Sequence, residues 1–320
     1  MSALAIEQIC QKIVGECVGL KKGESCLLIR DFDTTELHRA LEAAIRNYGG
    51  IPIVVSLPET AYVDGPLPTR LETSMKSGDV VLINTREIFP HGPRRSATET
   101  GARLLSMCMV SEEMALRALD VDYDQLSRVT RRAADLLSRA SEVVIRSQAG
   151  TEIRMDISDQ PVTYVDGLAL EPGRSSMLPA GVVALTPSPD TAEGRVILDG
   201  SIHSIGLLRK PVTLAVKKGR IESIEGDEEA EALQSMLDAA DENARCIAEV
   251  GLGTNPSATY VGNLVEDERV RGSGHIGLGR NAHLGGTIES ALHIDATIRK
   301  PSIYLDGEMI VSEGSLTIEL

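Results

Sequence analysis

Tryptophan is absent from the chain, and Phe32 and Phe89 are the only phenylalanines among 320 residues. A base-stacking platform for single-stranded nucleic acid needs exposed aromatic faces, so that function is excluded. Positive charge is also scarce: 32 Lys and Arg against 47 Asp and Glu leave a net charge of −15, the wrong sign for a phosphate backbone. No apolar run approaches membrane-spanning length. The opening "MSALAIEQICQKIVGECVGL" is an amphipathic helix pattern carrying Glu7 and Glu16 where a leader would be basic, so no signal peptide is read. The five cysteines (Cys10, Cys17, Cys26, Cys108 and Cys246) are scattered and form no CxxC, the usage expected of reduced thiols. These absences predict a cytoplasmic protein with neither nucleic acid nor membrane as a partner.

What is present is an aliphatic, globular composition, 42% apolar and 25% charged. The first part alternates strand and helix. "ESCLLIR", "IPIVVSL", "DVVLINT", "RLLSM" and "SEVVIRS" are apolar enough for strands buried on both faces, which implies a mostly parallel sheet. "DTTELHRALEAAIRNYGG" predicts a helix with Asp33 as N-cap, Glu36 as its capping-box partner and Gly49-Gly50 as the stop. "RRSATETGA" predicts a short helix, Ser111 a cap for "EEMALRAL", and "YDQLSRVTRRAADLLSRA" a long amphipathic helix. After about residue 148 short strands dominate, cut by Gly, Pro and Asp turns and interrupted by the acidic helix "DEEAEALQSMLDAADENARC". The tail "PSIYLDGEMIVSEGSL" predicts a hairpin turning at Asp306-Gly307. The expected organisation is an N-terminal α/β domain, residues 1–148, and a C-terminal strand-rich α+β metal-binding domain, residues 149–320.

The chemistry concentrates in residues 247–308, which hold His275, His283 and His293, three of the six histidines. In "ALHIDATI" a strand would turn His293 and Asp295 to one face and Leu292 and Ile294 to the other. Glu249 lies in the apolar "IAEVGLG", and His275 begins the equally apolar "HIGLG". A buried carboxylate needs a cation or hydrogen-bond donors, and one divalent ion among two imidazoles and two carboxylates would serve all four. Zn, Co, Mn and Fe all accept such donors, so the set alone names no metal. Each histidine also reads as a hydrogen-bonded core residue. His283, in "RNAHLGG", is either a solvated loop residue or a substrate contact, and "EDER" (Glu266 to Arg269) is a charged turn or helix end. No GxGxxG opens a helix, so a dinucleotide site is rejected.

"AEVGLGTNP", "GNLVEDE", "GHIGLGRN", "ALHIDATI" and "YLDGE" together resemble the C-terminal signature of the aminopeptidase T family of metallo-aminopeptidases. Its superfamily also holds iron-dependent dihydroxypyridine ring-cleaving dioxygenases. "PHGPRRSATETGARLLSM" and "LPAGVVALTPSPDTAEGRVILDGS" are similar to further family blocks. The resemblance implies a homodimer of two-domain subunits with a metal site in the second domain. It places Glu249 at the second glutamate, His275 at the first histidine, and His293 and Asp295 at the closing His-x-Asp. The first glutamate belongs to an "LPAGEV"-like block, which here is "LPAGVV" with Val182 in its place. Losing that carboxylate weakens any second dication, so one tightly held ion is expected, with Glu171 or Asp190 as the nearby substitutes.

Two reactions fit. The leading expectation is hydrolysis of an amide in a small molecule or short peptide, aminopeptidase-like. Zn, Co or Mn would activate water, and Glu249 would be a ligand or the general base. His91 would act in catalysis, while Arg94, Arg95, Glu171 and His283 would contact substrate. The alternative is ring opening by a mononuclear non-haem Fe(II) dioxygenase acting on a dihydroxypyridine-like heteroaromatic, with His275, His293 and Asp295 as ligands. The missing glutamate favours the alternative, and the scarcity of aromatic side chains to hold a flat ring disfavours it.

Overall fold

The computed structural model describes residues 3–31, 33, 35–58, 60–63 and 67–318, so Phe32 lies outside the described residues. The strands are β1 (Ser25–Asp31), β2 (Ile51–Leu57), β3 (Val80–Asn84), β4 (Arg103–Ser106), β5 (Glu142–Arg146), β6 (Glu152–Asp156) and β7 (Val162–Val165). They continue as β8 (Ser175–Met177), β9 (Val182–Leu185), β10 (Glu193–Leu198), β11 (Ser201–Ile202), β12 (Gly206–Leu207), β13 (Val212–Lys217) and β14 (Arg220–Glu225). The last six are β15 (Ile247–Gly253), β16 (Gly274–Gly279), β17 (His293–Ile298), β18 (Ser302–Leu305), β19 (Glu308–Ser312) and β20 (Ser315–Leu316). The fold is mixed α/β, as expected.

Two compact units are present. The first comprises residues 1–127 and 165–180, the second 128–164 and 181–320. The chain therefore changes unit inside the helix Tyr123–Arg139, upstream of the boundary after residue 148 that the sequence suggested, and returns once. The return delivers β8, a three-residue "SSM" strand that pairs in parallel with β4. No apolar run announces β8, because its place rests on backbone pairing rather than burial.

The first unit holds a parallel sheet ordered β2-β1-β3-β4-β8. Alternation along β1 sends Cys26 and Leu28 into one apolar cluster and Leu27 and Ile29 into another, and β3 divides the same way with Val80 and Leu82 against Val81 and Ile83. Both sheet faces are thus buried, which is why these strands are continuously apolar. The helix Glu36–Asn47 starts two residues later than expected. Thr35 is its N-cap, accepting from the His38 amide, while the His38 side chain returns to the Thr35 amide. Asp33 instead pairs with Arg86 at 2.5 Å, both side chains exposed.

The second unit stacks an eight-stranded sheet, β14-β13-β10-β6-β5-β18-β19-β20, on a seven-stranded one, β12-β11-β17-β16-β15-β9-β7. Their facing residues, including Ile145, Ile153, Val196 and Leu214 from the first and Val250, Leu252, Ile276 and Ile294 from the second, form one core. The acidic helix Glu228–Ala239 adds Ala230, Leu233 and Leu237 to it. The tail hairpin turns at Asp306 and Gly307, with φ +48° and +85°. Among the described residues no helix is long and apolar enough to cross a membrane, and the five cysteines are free thiols.

The capping geometry is testable. Thr35→Ala removes the cap and should cost about 1 kcal/mol in denaturant unfolding. Asp33→Ala, which breaks only an exposed ion pair, should cost less than about 0.5 kcal/mol; the reverse ranking would return the cap to Asp33.

Candidate metal centre

Three neighbouring strands of the seven-stranded sheet share one alternation. Val250 and Leu252, Ile276 and Leu278, and Ile294 and Ala296 enter the core. The other face therefore carries Glu249 and Gly251 from β15, His275, Gly277 and Gly279 from β16, and His293, Asp295 and Thr297 from β17. Register brings these together. Gly277 stands between Glu249 on one side and Asp295 on the other, Gly279 is opposite His293, and His275 lies between Gly251 and Thr297. The glycines make the room. A Cβ on Gly277 would lie 2.6 Å from both Asp295 Oδ1 and Glu249 Cβ, and one on Gly251 would run into the His275 ring.

Glu249 is the hub. His275 Nε2 donates to its Oε1 at 3.2 Å, while His293 Nε2 and His283 Nε2 lie 3.3 Å and 3.4 Å from its Oε2. His293 Nε2 is also 3.0 Å from Asp295 Oδ2. Its Nδ1 donates to the Arg280 carbonyl at 2.7 Å, an arrangement that fixes the ring and aims Nε2 at the carboxylates. The His283 ring meets the His293 ring edge-on, centroids 4.5 Å apart. His283 comes from a short 3-10 turn, Ala282–Leu284, held down by Asn281. Asn281 Nδ2 donates to Thr186 Oγ1 and to the Ala248 carbonyl, and its Oδ1 accepts from the Ile288 amide.

The electrostatics follow from burial. Glu249, His275 and Asp295 are buried, and His293 is half-buried. Burial by itself raises the Glu249 pKa, but the three imidazoles beside it hold it well below the usual carboxylate range. Burial likewise lowers His293, yet Asp295 and Glu249 outweigh it and push the imidazole up to about 11; His275 is raised for the same reason.

Three buried polar atoms of the cluster, Glu249 Oε2, His275 Nδ1 and Asp295 Oδ1, have no hydrogen-bond partner. Such atoms are costly unless something binds them, and oxygen and imidazole nitrogen donors converging in a glycine-lined space fit a divalent cation. One atom each from Glu249, His283 and His293 already lie within 4.8 Å of one another. Glu249 and His275, which the sequence offered as ligands of the same ion as His293 and Asp295, lie on the face that those two share, and His283 joins them through Glu249.

The remaining candidates lie elsewhere. His91, Arg94 and Arg95 lie on the helix His91–Glu99 of the first unit, with Arg95 paired to Glu99 at 3.0 Å. Glu171 is exposed in the same unit, and Asp190 is exposed in a turn whose backbone packs against Gly219. Val182 pairs with Gly253 and so shares the face of Glu249. Sequence missed Glu268, half-buried and bound to the buried Arg269; burial raises the Glu268 pKa, and its charge is one of those that raise His275. "EDER" ends a helix as expected, but Glu266 and Asp267 are fully buried, accepting from the amides of Thr259, Val261 and Gly262. Nothing local distinguishes that cluster from a solvated charge run.

A two-unit α/β chain with a buried carboxylate–imidazole cluster is a candidate metalloprotein. The family model for 2,5-dihydroxypyridine 5,6-dioxygenase, NicX, matches residues 6–318, and the chain belongs to that family. The 2,5-dihydroxypyridine 5,6-dioxygenase of Pseudomonas putida is 28% identical over 258 residues, 77% of this chain and 73% of the relative. A solved structure of the dihydroxypyridine dioxygenase from Pseudomonas putida matches the fold with a TM-score of 0.86 at 23% identity, covering 100% of this chain and 99% of that one. Wild-type AmpT from Thermus thermophilus matches at 0.73 and 16% identity, covering 98% and 99%.

These findings overturn the hydrolase expectation and the placement in the aminopeptidase T family: the family is the dioxygenase's, and AmpT shares the fold. The quoted motifs build a strand face and its carboxylate–imidazole donors, which do not encode the reaction.

Two outcomes check the centre. Gly277→Ala should remove bound metal and cost about 1–3 kcal/mol of stability, read by elemental analysis and denaturation; undiminished metal would show that the face is not the binding surface. Because Asp295 and Glu249 push the His293 imidazole up to about 11, it holds a proton at neutral pH until a cation displaces it. Metal uptake at pH 7 should therefore release about one proton or more, with affinity rising as pH rises. Calorimetry in buffers of different ionisation enthalpy measures this, and identical heats in all of them would refute it.

Proposed function

We propose that the chain is a mononuclear non-haem Fe(II) dioxygenase that opens the ring of a dihydroxypyridine-like heteroaromatic. The observation that carries this reading is the donor set: imidazoles and carboxylates around Glu249, with Val182 on the same face where a second metal-binding glutamate would stand. Two imidazoles and a carboxylate, with positions left for oxygen and substrate, suit Fe(II), and His275, His293 and Asp295 supply that set. Glu249, His283 and His293 form an overlapping one, so His293 is common to both. Fe(II) bound there supplies the one-electron chemistry by which O2 reacts with a closed-shell ring.

The chain's own groups have narrower tasks. Arg280 holds His293 by its Nδ1 proton, leaving Nε2 for the cation. Glu249, kept ionised among the imidazoles, is too weakly basic to be a good proton acceptor and acts by orienting His275, His283 and His293. Both atoms of O2 enter the product as one ring carbon–carbon bond breaks, so no further reductant is required. The family's activity and the 28% identical relative support the same substrate class.

Iron-loaded protein should consume about one O2 per ring opened when given 2,5-dihydroxypyridine, followed with an oxygen electrode and by loss of ring absorbance; His293→Ala should lose iron and turnover together. Iron-replete protein that consumes no oxygen with any dihydroxylated pyridine would sink the proposal. Val182→Glu restores a carboxylate to the face and should raise metal content from about one ion per chain toward about two. Content fixed at one ion would place that block away from the metal.

A further inference from the structure

The second unit offers a flat substrate little that is aromatic to lie on. It holds no phenylalanine or tryptophan, and each of its three tyrosines already carries an arginine on its ring. Arg131 lies 5.7 Å from the Tyr164 centroid, Arg146 5.6 Å from that of Tyr304, and Arg299 4.4 Å from that of Tyr260. The aromatic surface at the carboxylate–imidazole cluster is therefore imidazole, which stacks on heteroaromatic rings as the larger side chains do.

His283 differs from the other two imidazoles of the cluster. His275 has Nε2 held by Glu249 and Nδ1 unpartnered, while His293 has Nδ1 held by the Arg280 carbonyl and Nε2 aimed at the carboxylates. A metal-ligating imidazole is normally tethered in this way through its second nitrogen. His283 lacks the tether. Among the described residues its one polar contact is Nε2 to Glu249 Oε2 at 3.4 Å, the longest of the three imidazole contacts to that carboxylate. Its side chain is also the most exposed, 32% against 17% for His293 and 0% for His275, so the cluster opens to solvent on its side. The ring stands at 78° to that of His293. The turn beneath it is fixed: Leu284 is buried, and the buried Asn281 ties the turn to Thr186, Ala248 and Ile288.

We propose that His283 is the platform on which the substrate's ring stacks, beside the metal and not among its ligands. The inference rests on the ring-opening reading. A molecule entering from solvent meets this imidazole before it meets His293 or His275. A flat ring gains contact over its whole face there, and a puckered one only at its nearest atoms, so the platform selects aromatic substrates. The scarcity of large aromatic side chains, which weighs against a flat substrate in the sequence, is then met by one imidazole on a pinned turn.

Calorimetry of 2,5-dihydroxypyridine binding to the iron-loaded chain with oxygen excluded, alongside elemental analysis of iron, tests this. His283→Ala should keep the wild-type iron content and bind 2,5-dihydroxypyridine about threefold to tenfold more weakly. His283→Phe, which restores a flat face without a nitrogen, should keep the iron and bind within about twofold of wild type. Loss of iron from either variant would make His283 a ligand and overturn the platform. So would undiminished binding by His283→Ala, or binding by His283→Phe as weak as that of His283→Ala. An iron-loaded wild type that binds no 2,5-dihydroxypyridine sinks the ring-opening reading and the platform with it, an outcome distinct from any difference among the variants.

Discussion

A carboxylate removed from water has to be met by positive charge or by donors, and the second unit is arranged around that requirement at Glu249. Three imidazoles approach its two oxygens, and one of them, His293, is shared with Asp295. Each partner keeps another acceptable in the buried interior, so the cluster stands or falls as a group. The glycines on the same face follow from this. Gly251 and Gly277 leave the volume that the rings and carboxylates occupy, and the apolar residues between them close the core behind.

The same physics separates stoichiometry from reaction. The strand face and its donors are compatible with the fold of AmpT as well as that of the dihydroxypyridine dioxygenase, because both comparisons cover nearly the whole chain. On that face the strand beside Glu249 presents Val182, an aliphatic side chain, where the aminopeptidase T motif that the sequence resembles has a glutamate. One carboxylate fewer means less negative charge to offset the repulsion of two dications. The departure from the aminopeptidase pattern was visible in the sequence, and it pointed away from the hydrolase that the motifs as a whole suggested.

The first unit follows a different logic. Its parallel sheet is covered on both faces, so chemistry is confined to the ends of strands and the first turns of helices.

Alternation is a local property, so the sequence by itself determined which residues share a face within each strand: His293 with Asp295, and the core positions of β1 and β3. It also determined several of the helices, the long Tyr123–Arg139 among them, the hairpin at Asp306-Gly307 and the aliphatic core, since each depends on neighbours a few positions away; the helix Thr69–Ser77 was not legible there. Only the tertiary structure decided which strands lie side by side. The pairing of Gly277 with both Glu249 and Asp295, the return of β8 to the parallel sheet, and the approach of His283 through Asn281 are long-range registers. The cap at Thr35 rather than Asp33 was decided by the reciprocal bond from His38, and the burial of Glu266 and Asp267 by the way the preceding loop folds its Thr259, Val261 and Gly262 amides back onto them. Residue type shows what a side chain can do, and the partners it meets across the sheet settle what it does.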